Sequence, residues 1–322
     1  MCSTSHLPAN SADQPTDLPG EAGDQRRFRR NERKTMNYAS YVAADGSQTW
    51  GIVSEGTAYD LGPSGLNLAP SLGAAVERGI FGTVGEEFRN APARPEAEIE
   101  FLPSITHPGK IICIGVNYRS HQKETGKAEH QKEQKAPTIF TRFADSQMGH
   151  LQPAQMPAST NEFDYEGEMA LVIGKEGFHV AEADAFDHVA GYAAYNDFSV
   201  RDWQLAATQW TPGKNFPGTG GFGPYLVPAA DLGDVNELTL ETRVNGDVRQ
   251  KASVADLYFT IPQLISYVTG FTRLSPGDVI VTGTPGGVGR FMVPSGLLSA
   301  GDVVEVEITG LGTLRNTVEL VD

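Results

Sequence analysis

At 322 residues with 39% hydrophobic content the chain can bury a full core, and its 36 glycines and 20 prolines predict tight turns, few long helices and a β-rich α+β fold. A formal net charge of -15, from 25 basic and 40 acidic side chains, argues against a phosphate-backbone partner. No stretch approaches the roughly 20 apolar residues that a membrane-spanning helix needs, so neither nucleic acid nor membrane is an expected partner and a cytoplasmic location is the expectation.

Residues 1–35 are rich in Ser, Pro, Asn and Asp, show no apolar leader, and turn basic at Arg26-Arg27-Phe28-Arg29-Arg30, where Glu21, Asp24 and Glu32 dilute the charge. They read as a disordered polar extension. Residues 36–100 read as a small N-terminal β-rich subdomain. Its runs Tyr38–Tyr41 and Thr49–Val53 flank the turn signal Asp45-Gly46, a third run covers Thr57–Leu61, and a short helix is predicted over 68–79. The connection Ala91-Pro92-Ala93-Arg94-Pro95 resists helix and sheet alike.

Residues 101–322 read as the larger, catalytic unit. It opens with the apolar strand Ile111–Val116, in which Cys113 is a core thiol; with Cys2 as the other cysteine there is no disulfide framework. Residues 125–136 are charged and apolar-poor, which predicts a surface helix or a mobile loop. Strands follow over Thr138–Phe143, from Phe163 to Ile173, and from Ala190 to Asn196, with a short helix over 181–189 before the last of these. A helix capped by Ser199 is predicted through Ala206, and the glycine-rich stretch 211–224 reads as a long irregular loop before the strand Tyr225–Val227. A hairpin at Asn245-Gly246, a helix over Ile261–Val268 and strands after Asp278 and Asp302 complete the chain.

The chemistry concentrates on few side chains. Glu166 and Glu168 are two apart at the head of an apolar run, so a strand points both to one face, where like charges with little water call for a cation. Asp197 closes a second apolar strand and supplies a third oxygen ligand. Such a site suits Mg²⁺ or Mn²⁺ better than zinc, because no cysteine or histidine falls at ligand spacing. The plainer reading, acids on a wet sheet face, competes with this one. Asp164 is a weak fourth candidate. His121 and Glu124 are three apart, so one helical turn lets the carboxylate orient the imidazole. Lys214 is a cation in an elaborate loop, suited to an oxyanion or a carboxylate. The turn Thr282-Gly283-Thr284-Pro285-Gly286-Gly287-Val288-Gly289 lacks the pattern of a phosphate loop, although its N–H groups and hydroxyls could grip a carboxylate.

Taken in order, residues 117–124, 164–168, 195–197, 213–216 with 222–224, and 282–289 resemble the motifs of the fumarylacetoacetate hydrolase family over Pro108 to Val321. The resemblance implies a mixed β-sandwich roll, usually paired as a homodimer. It implies Mg²⁺ or Mn²⁺ held by Glu166, Glu168 and Asp197 and engaging the carboxylate and oxo oxygens of a 2-oxo acid. His121 and Glu124 resemble a lid dyad that activates water, Lys214 the lysine beside the metal, and Thr284, next to Gly283, the threonine that touches the substrate carboxylate. Arg142 stands where some members carry lysine, and its planar guanidinium suits a diacid. Tyr118 and Phe216 are candidates for an apolar wall around the distal half of the substrate. The expected reaction is hydrolytic C–C cleavage of an acylpyruvate-like 2,4-dioxo acid such as fumarylpyruvate, releasing pyruvate and a carboxylic acid. Alternatives are oxaloacetate decarboxylation or enol–keto isomerisation of the 2-hydroxymuconate type. A sugar-acid dehydratase or a catalytically silent scaffold is further off.

Overall fold

The computed structural model describes residues 35–126 and 134–322, so the expected extension and the middle of the charged segment 125–136 lie outside the described residues. In chain order the first strands are β1 (Asn37–Val42), β2 (Gln48–Ser54), β3 (Thr57–Asp60), β4 (Ala93–Pro95), β5 (Glu100–Phe101), β6 (Ile111–Gly115) and β7 (Thr138–Arg142). Then come β8 (Gln147–Met148), β9 (Ala154–Pro157), β10 (Phe163–Asp164), β11 (Gly167–Ile173), β12 (Val189–Asp197), β13 (Ser199–Val200) and β14 (Gly220–Pro228). The last are β15 (Thr239–Val244), β16 (Asp247–Ser253), β17 (Val279–Val281), β18 (Val303–Ile308) and β19 (Gly312–Val321). The α-helices are α1 (Leu72–Glu77), α2 (Arg119–Glu124), α3 (Arg201–Leu205), α4 (Thr211–Lys214) and α5 (Ile261–Thr269).

One sheet runs in the order β4-β3-β2-β1-β14-β12-β11-β17-β6-β7, with β5 against β1 and β8 against β14. A second runs β16-β15-β18-β19-β9, and β10 pairs with β13. Because Tyr38 of β1 pairs with Leu226 of β14, the N-terminal strands extend the catalytic sheet itself across the boundary expected near residue 100.

The alternation of β11 explains how the layers form. Met169, Leu171 and Ile173 face α5 and the second sheet, meeting Leu264, Ile265, Leu240 and Val306. Ala170 and Val172 face the other way, into a core with Cys113, Ala193, Tyr195, Tyr38 and Trp50. A strand buried on both faces reads as a continuous apolar run, which is what the sequence carries here. Each fully buried Leu or Ile contributes about 1.5–3 kcal/mol, and that burial offsets the cost of carrying carboxylates at the end of the same strand. Parity then matters: Glu168 continues the series of Ala170 and Val172, and Asp197 that of Ala193 and Tyr195, so both point to the same side of the sheet.

Helix α5 is closed by a capping box from Thr260 and Gln263, and it buries Ile261, Leu264, Ile265 and Val268 at helical spacing. The hairpin at Asn245-Gly246 has φ of 52° and 85°, the left-handed pair that a two-residue turn requires. Other local expectations change. The helix expected over 68–79 covers Leu72–Glu77, and the one over 181–189 is a 3₁₀ stretch, Glu182–His188. Ser199 lies in β13, and its hydroxyl donates to the Asp197 carbonyl (3.0 Å) instead of capping α3. The stretch 211–224, expected to be irregular, holds the single turn of α4 and the first half of β14. Glycine and proline hid that strand. Gly223 has φ of +143°, opposite Ala194 of β12, where the register shifts, and this irregularity accommodates composition that otherwise breaks strands.

Candidate active site

Gly167 pairs with Asn196 and Glu168 with Tyr195, so the start of β11 lies beside the end of β12. The Asp197 N–H donates to the Glu166 carbonyl (2.9 Å), and the Asn196 side chain accepts from Glu166 N–H (3.0 Å). This register brings carboxylate oxygens of Glu166, Glu168 and Asp197 within 4.8 Å of one another. The three residues are 6%, 1% and 0% exposed.

Cations surround the triad unequally. Lys214 Nζ donates to Glu166 Oε2 (2.8 Å) and Asp197 Oδ2 (2.6 Å). Arg142 Nη1 binds the other oxygen of Asp197 while Nη2 donates to Thr219 Oγ1 (2.6 Å). Arg201 Nη1 lies 2.6 Å from Glu166 Oε1, and its Nε donates to Asp164 Oδ2 (2.8 Å). Burial works to raise the Glu166 pKa, but Lys214 and Arg201 outweigh it and hold the carboxyl at about 2. Burial works to lower the Lys214 pKa, and here Asp197 and Glu166 win and keep the ammonium charged.

Glu168 is the exception. Burial first, then Asp197 and Glu166, push its carboxyl well above the usual range, against the help of Lys214 and of Gly283 N–H, which donates to Oε2 at 2.6 Å. Among the described residues no Lys or Arg pairs with it. Three cations therefore face four carboxylates, counting Asp164, and the excess negative charge sits where three carboxylate oxygens converge. That donor set fits a hard divalent cation.

The turn after β17 supports this arrangement. Gly283 has φ of +101°, and a Cβ there would lie 2.7 Å from Asn117 Cβ, so glycine lets its N–H reach Glu168. Thr284 Oγ1 donates to the Gly167 carbonyl (2.9 Å) and accepts from Gln250 Nε2 (2.8 Å). Gln250 Oε1 accepts from Gly167 N–H (2.9 Å), so one amide ties β11 to the turn. Asp164 accepts from Gly289 N–H (2.8 Å) and Arg290 N–H (3.1 Å) and is thus engaged outside the triad.

Beyond the carboxylates, His121 Nδ1 lies 2.6 Å from Glu124 Oε1, one turn apart on α2. Glu124 Oε2 accepts from Gly287 N–H (2.8 Å) and Ser120 Oγ from Gly286 N–H (3.0 Å), which docks α2 on the glycine turn. His121, Glu166 and Lys214 share the wall of a cavity of about 160 Å³ with Arg201, Arg290 and Trp210.

Arg142, Tyr118 and Phe216 do not line this cavity. The Arg142 side chain is 0% exposed and held by Asp197. Tyr118 is buried in the core between the sheets, and Phe216 stacks edge-on to Trp203. Arg201, Gln250 and Arg290 were not singled out from sequence. The only trace was the position of Arg201 on a helix just after Asp197.

A family model described as Fumarylacetoacetate (FAA) hydrolase C-terminal matches residues 110–319. The chain belongs to the fumarylacetoacetate hydrolase family. It is 43% identical over 224 residues to "Oxaloacetate tautomerase fahd2, mitochondrial" of Xenopus laevis, covering 69% of each chain. It is 40% identical over 224 residues to "Oxaloacetate tautomerase YisK" of Bacillus subtilis (strain 168), covering 69% of this chain and 74% of that one. Among solved family members, a fumarylacetoacetate hydrolase from psychrophilic Exiguobacterium antarcticum superposes with a TM-score of 0.78 at 34% identity, covering 89% of this chain and 100% of that one. The mixed sheets and few helices match that architecture. No helix among the described residues is long and apolar enough to cross a membrane.

Proposed function

We propose that this family member is an enol–keto tautomerase of a short 2-oxo diacid of the oxaloacetate class, which favours the isomerase alternative over C–C hydrolysis. The observation that carries the reading is His121, held by Glu124 and lining the cavity that Glu166 also lines, in a chain 40–43% identical to proteins named oxaloacetate tautomerases. A divalent ion held by Glu166, Glu168 and Asp197 would supply Lewis acidity to the 2-oxo oxygen.

The chain's own residues account for the rest. Tautomerisation moves one proton: the enol oxygen loses it and C3 gains one, with no change of any other bond to a second reactant. With Glu124 on Nδ1, the Nε2 atom of His121 is the ring nitrogen left to carry that proton, and the carboxylate stabilises the imidazolium while it is held. Lys214 and Arg201 orient Glu166 and keep it ionised, and Lys214 also orients Asp197. The apolar ring of Trp210 limits water at the cavity wall.

C–C hydrolysis would use the same dyad on a water molecule, and the 34% identity to a named fumarylacetoacetate hydrolase keeps it as the second reading. One assay separates the two. Purified protein with Mg²⁺ or Mn²⁺ is expected to accelerate the loss of enol absorbance of oxaloacetate over the spontaneous rate, without carbon dioxide release and without releasing pyruvate from acylpyruvates. Pyruvate release with no enol acceleration would replace the tautomerase reading by the hydrolase one.

A further inference from the structure

Among the described residues three Lys or Arg side chains line the cavity, and two are already committed: Lys214 to Glu166 and Asp197, and Arg201 to Glu166 and Asp164, their side chains 1% and 6% exposed. Arg290 differs. Its backbone is fixed, since its N–H and that of Gly289 both donate to Asp164, the carboxylate that also binds Arg201. Its guanidinium is free to exchange: it is 35% exposed and pairs at 2.5 Å with Glu162, which is 41% exposed.

Exposed ion pairs are weak, so a ligand carboxylate entering the cavity can take the guanidinium from Glu162 at small cost. A planar guanidinium offers that carboxylate two parallel hydrogen bonds. Arg142, the diacid reader expected from sequence, would first have to leave a fully buried partnership with Asp197. We propose that Arg290 is the specificity-determining residue that binds the distal carboxylate of a 2-oxo diacid, and that Glu162 parks its guanidinium until the ligand arrives. The inference rests on the 2-oxo diacid reading above. It predicts selectivity for a charged over an apolar distal group, because an apolar group would lie against Trp210 and leave Arg290 with Glu162.

The test is calorimetric titration of the full chain loaded with Mn²⁺, using oxalate, which has no distal group, and 3,3-difluorooxaloacetate, which cannot enolise. Arg290→Gln is expected to weaken the difluoro diacid roughly 10- to 100-fold and oxalate less than about threefold, as suits a distal contact screened by solvent. Arg290→Lys should fall between, and Glu162→Gln should hold or tighten diacid binding. Retained oxalate binding shows that the variant is folded. Equal weakening of both ligands, no weakening of the diacid, or a loss in Glu162→Gln as large as in Arg290→Gln would overturn the role of Arg290. Absence of Mn²⁺-dependent oxalate binding to the unaltered protein would instead overturn the site reading, and this inference with it.

Discussion

Glu166, Glu168 and Asp197 are almost wholly buried, whereas the cavity that Glu166 lines also carries Arg290 and Phe291 at 35% and 40% exposure. Inside, the partners are themselves buried: Lys214 bridges two carboxylates and Arg142 and Arg201 brace them. Outside, the partners are exposed or backbone, as with Glu162 for Arg290 and Gly287 N–H for Glu124. The difference follows from dielectric. A buried charge left alone costs several kcal/mol, so the inner groups have one arrangement, while an exposed pair costs little to exchange. The inner set is suited to a constant task, holding a divalent cation. On the proposed reading the outer set is where the distal part of the substrate is selected.

The largest test of that division removes an inner ligand. Glu168→Gln keeps the shape and the Gly283 contact but deletes a charge, and it should lower Mn²⁺ affinity about 100-fold or more and turnover by roughly 10³-fold. Titration of Mn²⁺ by paramagnetic resonance checks the first, and enol decay checks the second. An unaltered metal affinity would break the comparison at its centre.

The next test strikes the dyad, whose imidazole is as buried as Glu166 but makes no contact with a cation of the cage. His121→Asn should lower turnover by about 10²- to 10⁴-fold while leaving Mn²⁺ affinity within about twofold. Loss of both together would mean that the dyad belongs with the metal cage. A third test measures the rigidity of the cage. Arg142→Met leaves Asp197 short of a buried partner and should cost about 3–5 kcal/mol of stability, seen as a lower denaturant midpoint at unchanged slope.

The smallest expected effect is a control remote from the cavity. Burial, with help from Arg315, lowers the His150 pKa from 6.5 to about 4, and the Arg315 backbone N–H donates to Nδ1 (3.0 Å), which requires a neutral acceptor. Above pH 6.5 both folded and unfolded states keep it neutral, and no stability is lost. As pH falls from 6.5 towards 4 the unfolded chain takes the proton first, so stability drops by about 1–3 kcal/mol across that window. His150→Gln should flatten this part of the stability profile and leave metal binding alone.

How much was legible in the sequence depended on the range of the interaction. Glu166 and Glu168 two apart, His121 and Glu124 three apart, and Asn245-Gly246 between alternating runs carry their geometry in their spacing. Strand and helix periods are local, and the His121–Glu124 contact and the hairpin follow from them, whereas Asp197 joins the two glutamates only through the pairing of β11 with β12. The apolar run of β11 likewise reads as a strand entering the core, while its burial on both faces is a finding of the structure. Composition misled where local rules were overridden, as in β14, whose glycines and Pro224 read as a loop until β1 and β12 paired with it on either side.

Tertiary structure alone decided the electrostatics. Arg142 meets Asp197 across 55 positions, Arg201 meets Asp164 across 37, and Gln250 joins Gly167 to Thr284 across 83 and 34. Such pairings depend on sheet order, which no period encodes. Whether an arginine is a brace or a reader depends on how deeply its partner is buried: Arg142 faces a carboxylate without solvent, and Arg290 faces one that water already reaches.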